Sequence, residues 1–380
     1  MKLTKLLVPG VMLFGVGCST PAAPPPVTAA APPPPVTAAA PAAAPAPAAP
    51  EEPALPPLPT EVTDAMKASL SKLPAAYESE KNPLTEQKIT LGRMLFFEKR
   101  LSKNHDVSCN SCHSLEGFGV DGKTTSNGHK QQRGDRNSPT VYNAGNHIAQ
   151  FWDGRAADLE AQAKGPILNP VEMAMKDEAS VVAVLKSIPG YSKLFKAAFP
   201  KDKDPITYDN LAMAIGAFER KLVTPGKLDS YLAGDEAALS ADEKRGMAKF
   251  AGVGCTTCHS GAAVGGSSFQ KLGLVETWPG VTDEGRFKVS KADEDKMKFR
   301  VPSLRNISET DPYLHDGSEA DLNKLIRKMA KHQLGRELAD ADVADIETFL
   351  LALRGDLPAA YIAEPTLPKS GPKTPKPDPN

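Results

Sequence analysis

Two short stretches of the chain, VSCNSCHS at 107–114 and VGCTTCHS at 253–260, are nearly identical. Each carries Cys-x-x-Cys-His: Cys109, Cys112 and His113 in the first, Cys255, Cys258 and His259 in the second. This spacing constrains the fold more than any other feature. Two thiols two residues apart can bond both vinyl groups of one porphyrin, and the adjacent imidazole then ligates the iron from the proximal side. A zinc site made of two such pairs places them closer together in sequence. A thioredoxin-like redox pair needs no following histidine and sits in a βαβ pattern, which neither stretch has. The motifs predict two covalently bound haem c groups.

The remaining cysteine, Cys18, stands in a different context. Two lysines in residues 1–5 precede a short apolar run, 6–16, that is too short to span a bilayer and fits a secretory signal. Cys18 follows Gly-Val-Gly, which resembles a bacterial lipoprotein cleavage site, although Gly15 replaces the usual aliphatic residue. The expectation is a signal peptide over 1–17, lipidation of Cys18 and a periplasmic, membrane-anchored mature chain; cleavage to a soluble periplasmic protein is the alternative. Residues 18–60 are rich in Pro and Ala, with PPPVTAAA at 24–31 and again at 33–40, the composition of an extended tether. The Pro/Lys-rich tail 369–380 is expected to be disordered. With 45 basic and 46 acidic residues the net charge is −1, which gives no reason to expect nucleic acid as a partner.

Between these ends the pattern is helical. Amphipathic segments are expected over 61–73, 85–97, 207–222, 240–250, 320–330 and 343–353, the last capped by Gly355. Ser240 and Glu243 form a capping-box signature. Gly92 and Phe96 precede the first haem motif as Gly246 and Phe250 precede the second, a weak internal repeat. The fold class expected is all-α, with two cytochrome c-like domains over 61–222 and 223–356, each holding one haem and meeting at an interface.

Two haems can simply relay electrons, whereas an enzyme needs one iron with a free face. His105, His129, His147 and His315 lie in long loops and His332 follows a helix, but spacing alone does not say which side chain covers which iron. Met329 falls on the apolar stripe of its helix and reads as core.

The chain resembles the bacterial dihaem cytochrome c peroxidases from about Leu84 to Gly355. The resemblance rests on ordered blocks, among them LGRMLFFEKRLS at 91–102, NGHK at 127–130, RNSPTVYNAG at 136–145, AQFWDGRAADLEAQAKGPI at 149–167, VEMA at 171–174, FRVPSLRNI at 299–307, YLHDG at 313–317 and MAKHQLG at 329–335. It implies a peroxidatic haem on Cys109, Cys112 and His113, with His129 as the ligand that covers its iron in the oxidised resting state. It implies an electron-transfer haem on Cys255, Cys258 and His259, with Met329 as second axial ligand, a pairing that raises reduction potential. Glu172 matches the acid/base residue, with Gln162 beside it, and Trp152 matches a tryptophan between the haems. Asn137, Thr310 and Pro312 match an inter-domain calcium (Ca2+) site. His315 matches no assigned role.

The resemblance further implies reduction of hydrogen peroxide to water, a small cytochrome c or blue copper protein as donor, reductive release of His129 and a homodimer. Residues 357–368 are expected to fold back on the first domain. The competing readings are a dihaem electron carrier without catalysis and a dihaem oxidase that modifies a partner protein. That oxidase branch carries tyrosine where Met329 stands.

Overall fold

The computed structural model describes residues 56–380. The signal segment, Cys18 and most of the Pro/Ala tether lie outside the described residues.

Local signals set the helices. The first, α1 (Glu86–Phe96), starts where the Thr85 hydroxyl accepts from the Lys88 N–H at 3.2 Å. Asp158 and Asp177 cap α2 (Leu159–Leu168) and α3 (Glu178–Ser187), and a proline opens α4 (Pro189–Ala198). Thr207 caps α5 (Tyr208–Glu219). The anticipated capping box forms at α6 (Ala241–Val253), where Ser240 and Glu243 bond each other's backbone N–H. The last two long helices are α7 (Leu322–Leu334), closed by Gly335 at φ +64°, and α8 (Asp340–Leu351).

Residues Pro56–Asn380 form one compact unit with two apolar cores. The first core gathers α1, α3, α4 and α5 around Leu91, Phe96, Leu211 and Phe218. The second gathers α6, α7 and α8 around Phe250, Leu325, Ile346 and Phe349. The repeat seen in sequence is a packing device used twice. Helix α1 crosses α5 at Gly92, and α6 crosses α8 at Gly246. Next to each crossing an aromatic pair fills the seam: Phe96 on Phe218 at 5.5 Å, and Phe250 on Phe349 at 5.4 Å.

Several expectations are corrected. The fold is helix-rich but not all-α, because β1 (Phe269–Lys271) pairs antiparallel with β2 (Lys298–Arg300). The helix expected over 61–73 shrinks to Asp64–Ala68. Beyond it Leu70 bridges to Gly261, and the Leu73 N–H bonds the Asp229 carboxylate at 2.7 Å, so tertiary contacts replace helical ones. Leu70 and Trp152 belong to the second core, although a boundary at 222/223 puts them in the first domain. Helix α8 ends at Leu351 with Ala352 as its cap, and Gly355 is not its cap. Instead Gly355 lies flat against the Thr224 carbonyl, 2.0 Å from where a Cβ would stand, and its N–H bonds Asn306 at 2.9 Å.

The C-terminal segment returns to the first core. Ile362 is buried there, and Tyr361 stacks on Phe218 at 5.1 Å. The tail 369–380, expected to be disordered, continues along the same side. Ser187 Oγ bonds Thr374 Oγ1 at 3.1 Å, and the Asp378 N–H bonds the Lys103 carbonyl at 3.0 Å. Proline stiffens this extended segment, so few hydrogen bonds suffice to hold it.

Candidate active site

Each Cys-x-x-Cys-His motif opens onto its own cavity. Cys109 and Cys112 lie on a single helical turn, Cys109–Cys112, capped by Ser108. With His113 they line a cavity of ≈ 530 Å³. His113 Nδ1 lies 3.3 Å from the Gly119 carbonyl, a contact that places the proton on Nδ1 and leaves Nε2 as the ligating nitrogen. The motif residues therefore fit a covalently held haem.

The other face of this cavity is polar. Glu172 and Gln162 both line it, together with Arg136 and Arg155. Asn169 Nδ2 donates to Glu172 Oε1 at 2.8 Å. Burial raises the Glu172 pKa, against the opposing pull of Arg155 and of the Asn169 hydrogen bond. A half-buried carboxylate more basic than usual, fixed by one hydrogen bond, can take up and return a proton.

His129 is buried in a short turn, His129–Gln131, against Glu172. Its N–H bonds the Glu172 carbonyl at 2.7 Å. Gly128 makes this approach possible, because a Cβ there would stand 2.1 Å from the Val171 carbonyl. Gly128 lines the cavity, but His129 is not among its lining residues, and its Nδ1 is buried without a partner.

The second cavity, ≈ 220 Å³, is walled by apolar side chains. Cys255, Cys258, His259 and Met329 line it, with Met329 on α7 packed against the second core. A histidine and a methionine on the walls of one apolar cavity fit a haem with both axial positions taken. Trp152 lines both cavities. Its Nε1 donates to the Asn137 carbonyl at 2.9 Å, and its own carbonyl accepts from the Arg300 N–H at 2.8 Å.

Comparison with known proteins identifies the family. Residues 86–237 match the family model described as di-haem cytochrome c peroxidase. The chain is 46% identical over 301 residues to the cytochrome c551 peroxidase of Pseudomonas aeruginosa, covering 78% of this chain and 86% of that one. It is 36% identical over 318 residues to the methylamine utilization protein MauG of Methylorubrum extorquens, covering 80% and 88%. The crystal structure of a MauG-like protein associated with microbial copper homeostasis superposes with a TM-score of 0.69 at 31% identity, covering 77% of this chain and 97% of that one. The chain belongs to the di-haem cytochrome c peroxidase family. The family and the enzyme class expected from the sequence both hold.

In this di-haem peroxidase the three residues matched to calcium share one cavity. Asn137, Thr310 and Pro312 all line the second cavity. The Asn137 amide nitrogen donates to the carbonyls of Lys123 and Thr124, at 2.9 and 3.4 Å, so its oxygen is the other end of the amide. One side-chain oxygen and two carbonyls form an oxygen-only donor set of the kind calcium takes. His315 is buried on the wall of the second cavity: it stacks on Phe299 at 4.1 Å, meets Trp152 edge-on at 6.5 Å and accepts the Asn137 N–H on its carbonyl.

Sequence reasoning missed two residues of the peroxidase, Glu219 and Arg300, and left His147 among several loop histidines without a site. Glu219 lines the first cavity with Oε2 buried and unpartnered, and burial pushes its carboxyl up to about 8. Arg300 and His147 line the second cavity with unpartnered buried nitrogens. Buried polar atoms without protein partners on a cavity wall fit a cofactor-facing position, and nothing in their spacing marks it.

Proposed function

We propose that this protein reduces hydrogen peroxide to two waters, using electrons from a small c-type cytochrome or blue copper protein in the periplasm. The unlike linings of the two cavities carry the reading: Glu172 and Gln162 face one, while His259 and Met329 close the other. Haem, bound through the two Cys-x-x-Cys-His motifs, supplies one iron centre for peroxide and another that stores an electron. The protein's part is proton transfer and positioning. Glu172 accepts the proton of the inner peroxide oxygen and delivers it to the outer one, so that the outer oxygen leaves as water. Asn169 holds the Glu172 carboxylate, and Gln162 offers an amide to orient peroxide. Two electrons and two protons complete the balance to two waters.

Trp152 provides the aromatic path between the cavities, and the Asn137, Thr310 and Pro312 oxygens hold Ca2+ beside it. In this reading His129 closes the first site at rest and withdraws on reduction of the second haem. Its backbone bond to Glu172 and its absence from the cavity lining support a turn that can hold it withdrawn. Among the described residues no helix is long and apolar enough to cross a membrane. Membrane anchorage through lipidated Cys18, a periplasmic location and a homodimer rest on the leader sequence and the resemblance. A pure electron carrier would have no use for a half-buried Glu172 of raised pKa on the wall of the first cavity.

The test is peroxide consumption by haem-loaded protein with reduced cytochrome c, before and after one-electron reduction in the presence of calcium. Turnover only after reduction supports the peroxidase and the His129 gate together. Immediate turnover supports the peroxidase and removes the gate. No turnover in either state overturns the reading.

A further inference from the structure

The wall of the second cavity holds a buried cation with nothing to balance it. Arg300 is 2% exposed, and its Nη1 is buried without a hydrogen-bond partner among the described residues. No neighbouring carboxylate acts on it, and burial alone pulls its guanidinium down to about 10, so it stays charged at neutral pH. Its backbone is held on two sides. Within β2 it stands opposite Phe269, and its N–H bonds the Trp152 carbonyl at 2.8 Å. Its Nε reaches the Phe151 carbonyl at 3.4 Å.

His147 lies close by on the same cavity. Both of its ring nitrogens are buried and unpartnered. Gly266 makes room for the ring, since a Cβ there would stand 2.5 Å from its Cδ2. Burial first, and then the Arg300 charge, keep this imidazole neutral, with one N–H to donate. A guanidinium whose Nη1 is buried without a partner, beside a neutral imidazole on the same wall, favours an anion. A guanidinium fork matches the two oxygens of a carboxylate.

Haem brings such carboxylates on the edge away from its vinyl groups. Resting on the haem reading of the second cavity, we propose that Arg300 and His147 form the clamp for a propionate of that haem. Arg300 thereby ties the propionate to the Trp152 backbone that runs between the cavities. Both are positioning residues and touch neither peroxide nor iron.

The test measures haem content by pyridine haemochrome and the midpoint potential of each haem by spectroelectrochemistry, on haem-loaded wild type, Arg300→Gln, Arg300→Lys and His147→Leu. A paired guanidinium cancels the propionate charge and favours the reduced state. Arg300→Gln should therefore lower the reduction constant of the second haem about tenfold, which is 59 mV for one electron. The first haem should not move, and Arg300→Lys should recover part of the loss. Two haems with an unmoved second potential in Arg300→Gln overturn the clamp alone. Should Arg300→Gln lose the second haem, His147→Leu decides: both haems with a lowered second potential support the clamp, and an unmoved one overturns it. Wild type with fewer than two haems overturns the haem reading, and the clamp with it.

Discussion

Gly92 sits directly beneath the carbonyl of Ala214: a Cβ at position 92 would stand 1.9 Å from that oxygen. Gly246 repeats the relationship with Asp345 at 2.0 Å, and Phe218 and Phe349 lie 2.9 Å from the respective added carbons. In both places the obstacle is backbone, which cannot rotate away. Each helix leading into a haem motif is therefore held to its partner by the absence of a side chain. Gly92→Ala and Gly246→Ala should each force the helices apart and cost about 3 kcal/mol. Chemical denaturation will show it, together with a selective loss of the haem nearer the altered crossing. Wild-type stability in both variants would mean that the close crossings are not maintained in solution.

The chemistry assigned to Glu172 predicts a large kinetic effect without a structural one. Glu172→Gln should lower kcat/KM for peroxide by about 10²–10⁴-fold, the usual scale of a lost general acid–base group, with haem spectra unchanged. Burial raises the pKa of this carboxyl, so its acid limb lies above the ordinary carboxylate range. Asn169 stabilises the ionised form through its 2.8 Å hydrogen bond. Asn169→Ala should therefore raise the pKa further and move the acid limb of the pH–rate profile to higher pH.

The turn around His129 stores backbone strain. Lys130 and Gln131 both occupy the left-handed region, at φ +57° and +60°. Each costs about 1 kcal/mol relative to glycine. Lys130→Gly should favour this turn and reduce the need for prior reduction of the enzyme. His129→Gly should be active without any reduction. Stopped-flow peroxide turnover on fully oxidised protein measures both, and a silent His129→Gly variant would sink the gate.

How much of this was legible depended on the kind of residue. The haem motifs, Glu172 and Trp152 lie in contiguous blocks with a definite spacing, and Gly92–Phe96 and Gly246–Phe250 announce the two helix crossings. The three-residue strands at Phe269 and Lys298 are too short to show an alternating pattern. Proline composition hides the docking of 369–380, because the same stiffness serves a free tail and a strap. Glu219, Arg300 and the cavity position of His147 were illegible for another reason. A buried polar group facing a cofactor looks in sequence like any surface charge, and only its unpartnered atoms in the folded chain expose it.

Glu219 also sets how stability depends on pH. Burial pushes its carboxyl up to about 8, Glu160 pushes the same way and Arg220 opposes, against 4.5 for an unburied glutamate. Below pH 4.5 the folded and unfolded chains both keep this proton, and it favours neither. As pH rises through the interval up to about 8, the unfolded chain releases the proton while the folded chain must retain it, so stability falls. Above that pH the folded chain also ionises, and the penalty stays constant. Glu219→Gln keeps the shape and removes the ionisation. The variant should match wild type in acid and become progressively more stable than wild type up to about pH 8, by on the order of a few kcal/mol. Denaturation midpoints of the haem-loaded proteins across this range measure the gap. A gap that is constant with pH would show that Glu219 does not titrate between its unfolded and buried values.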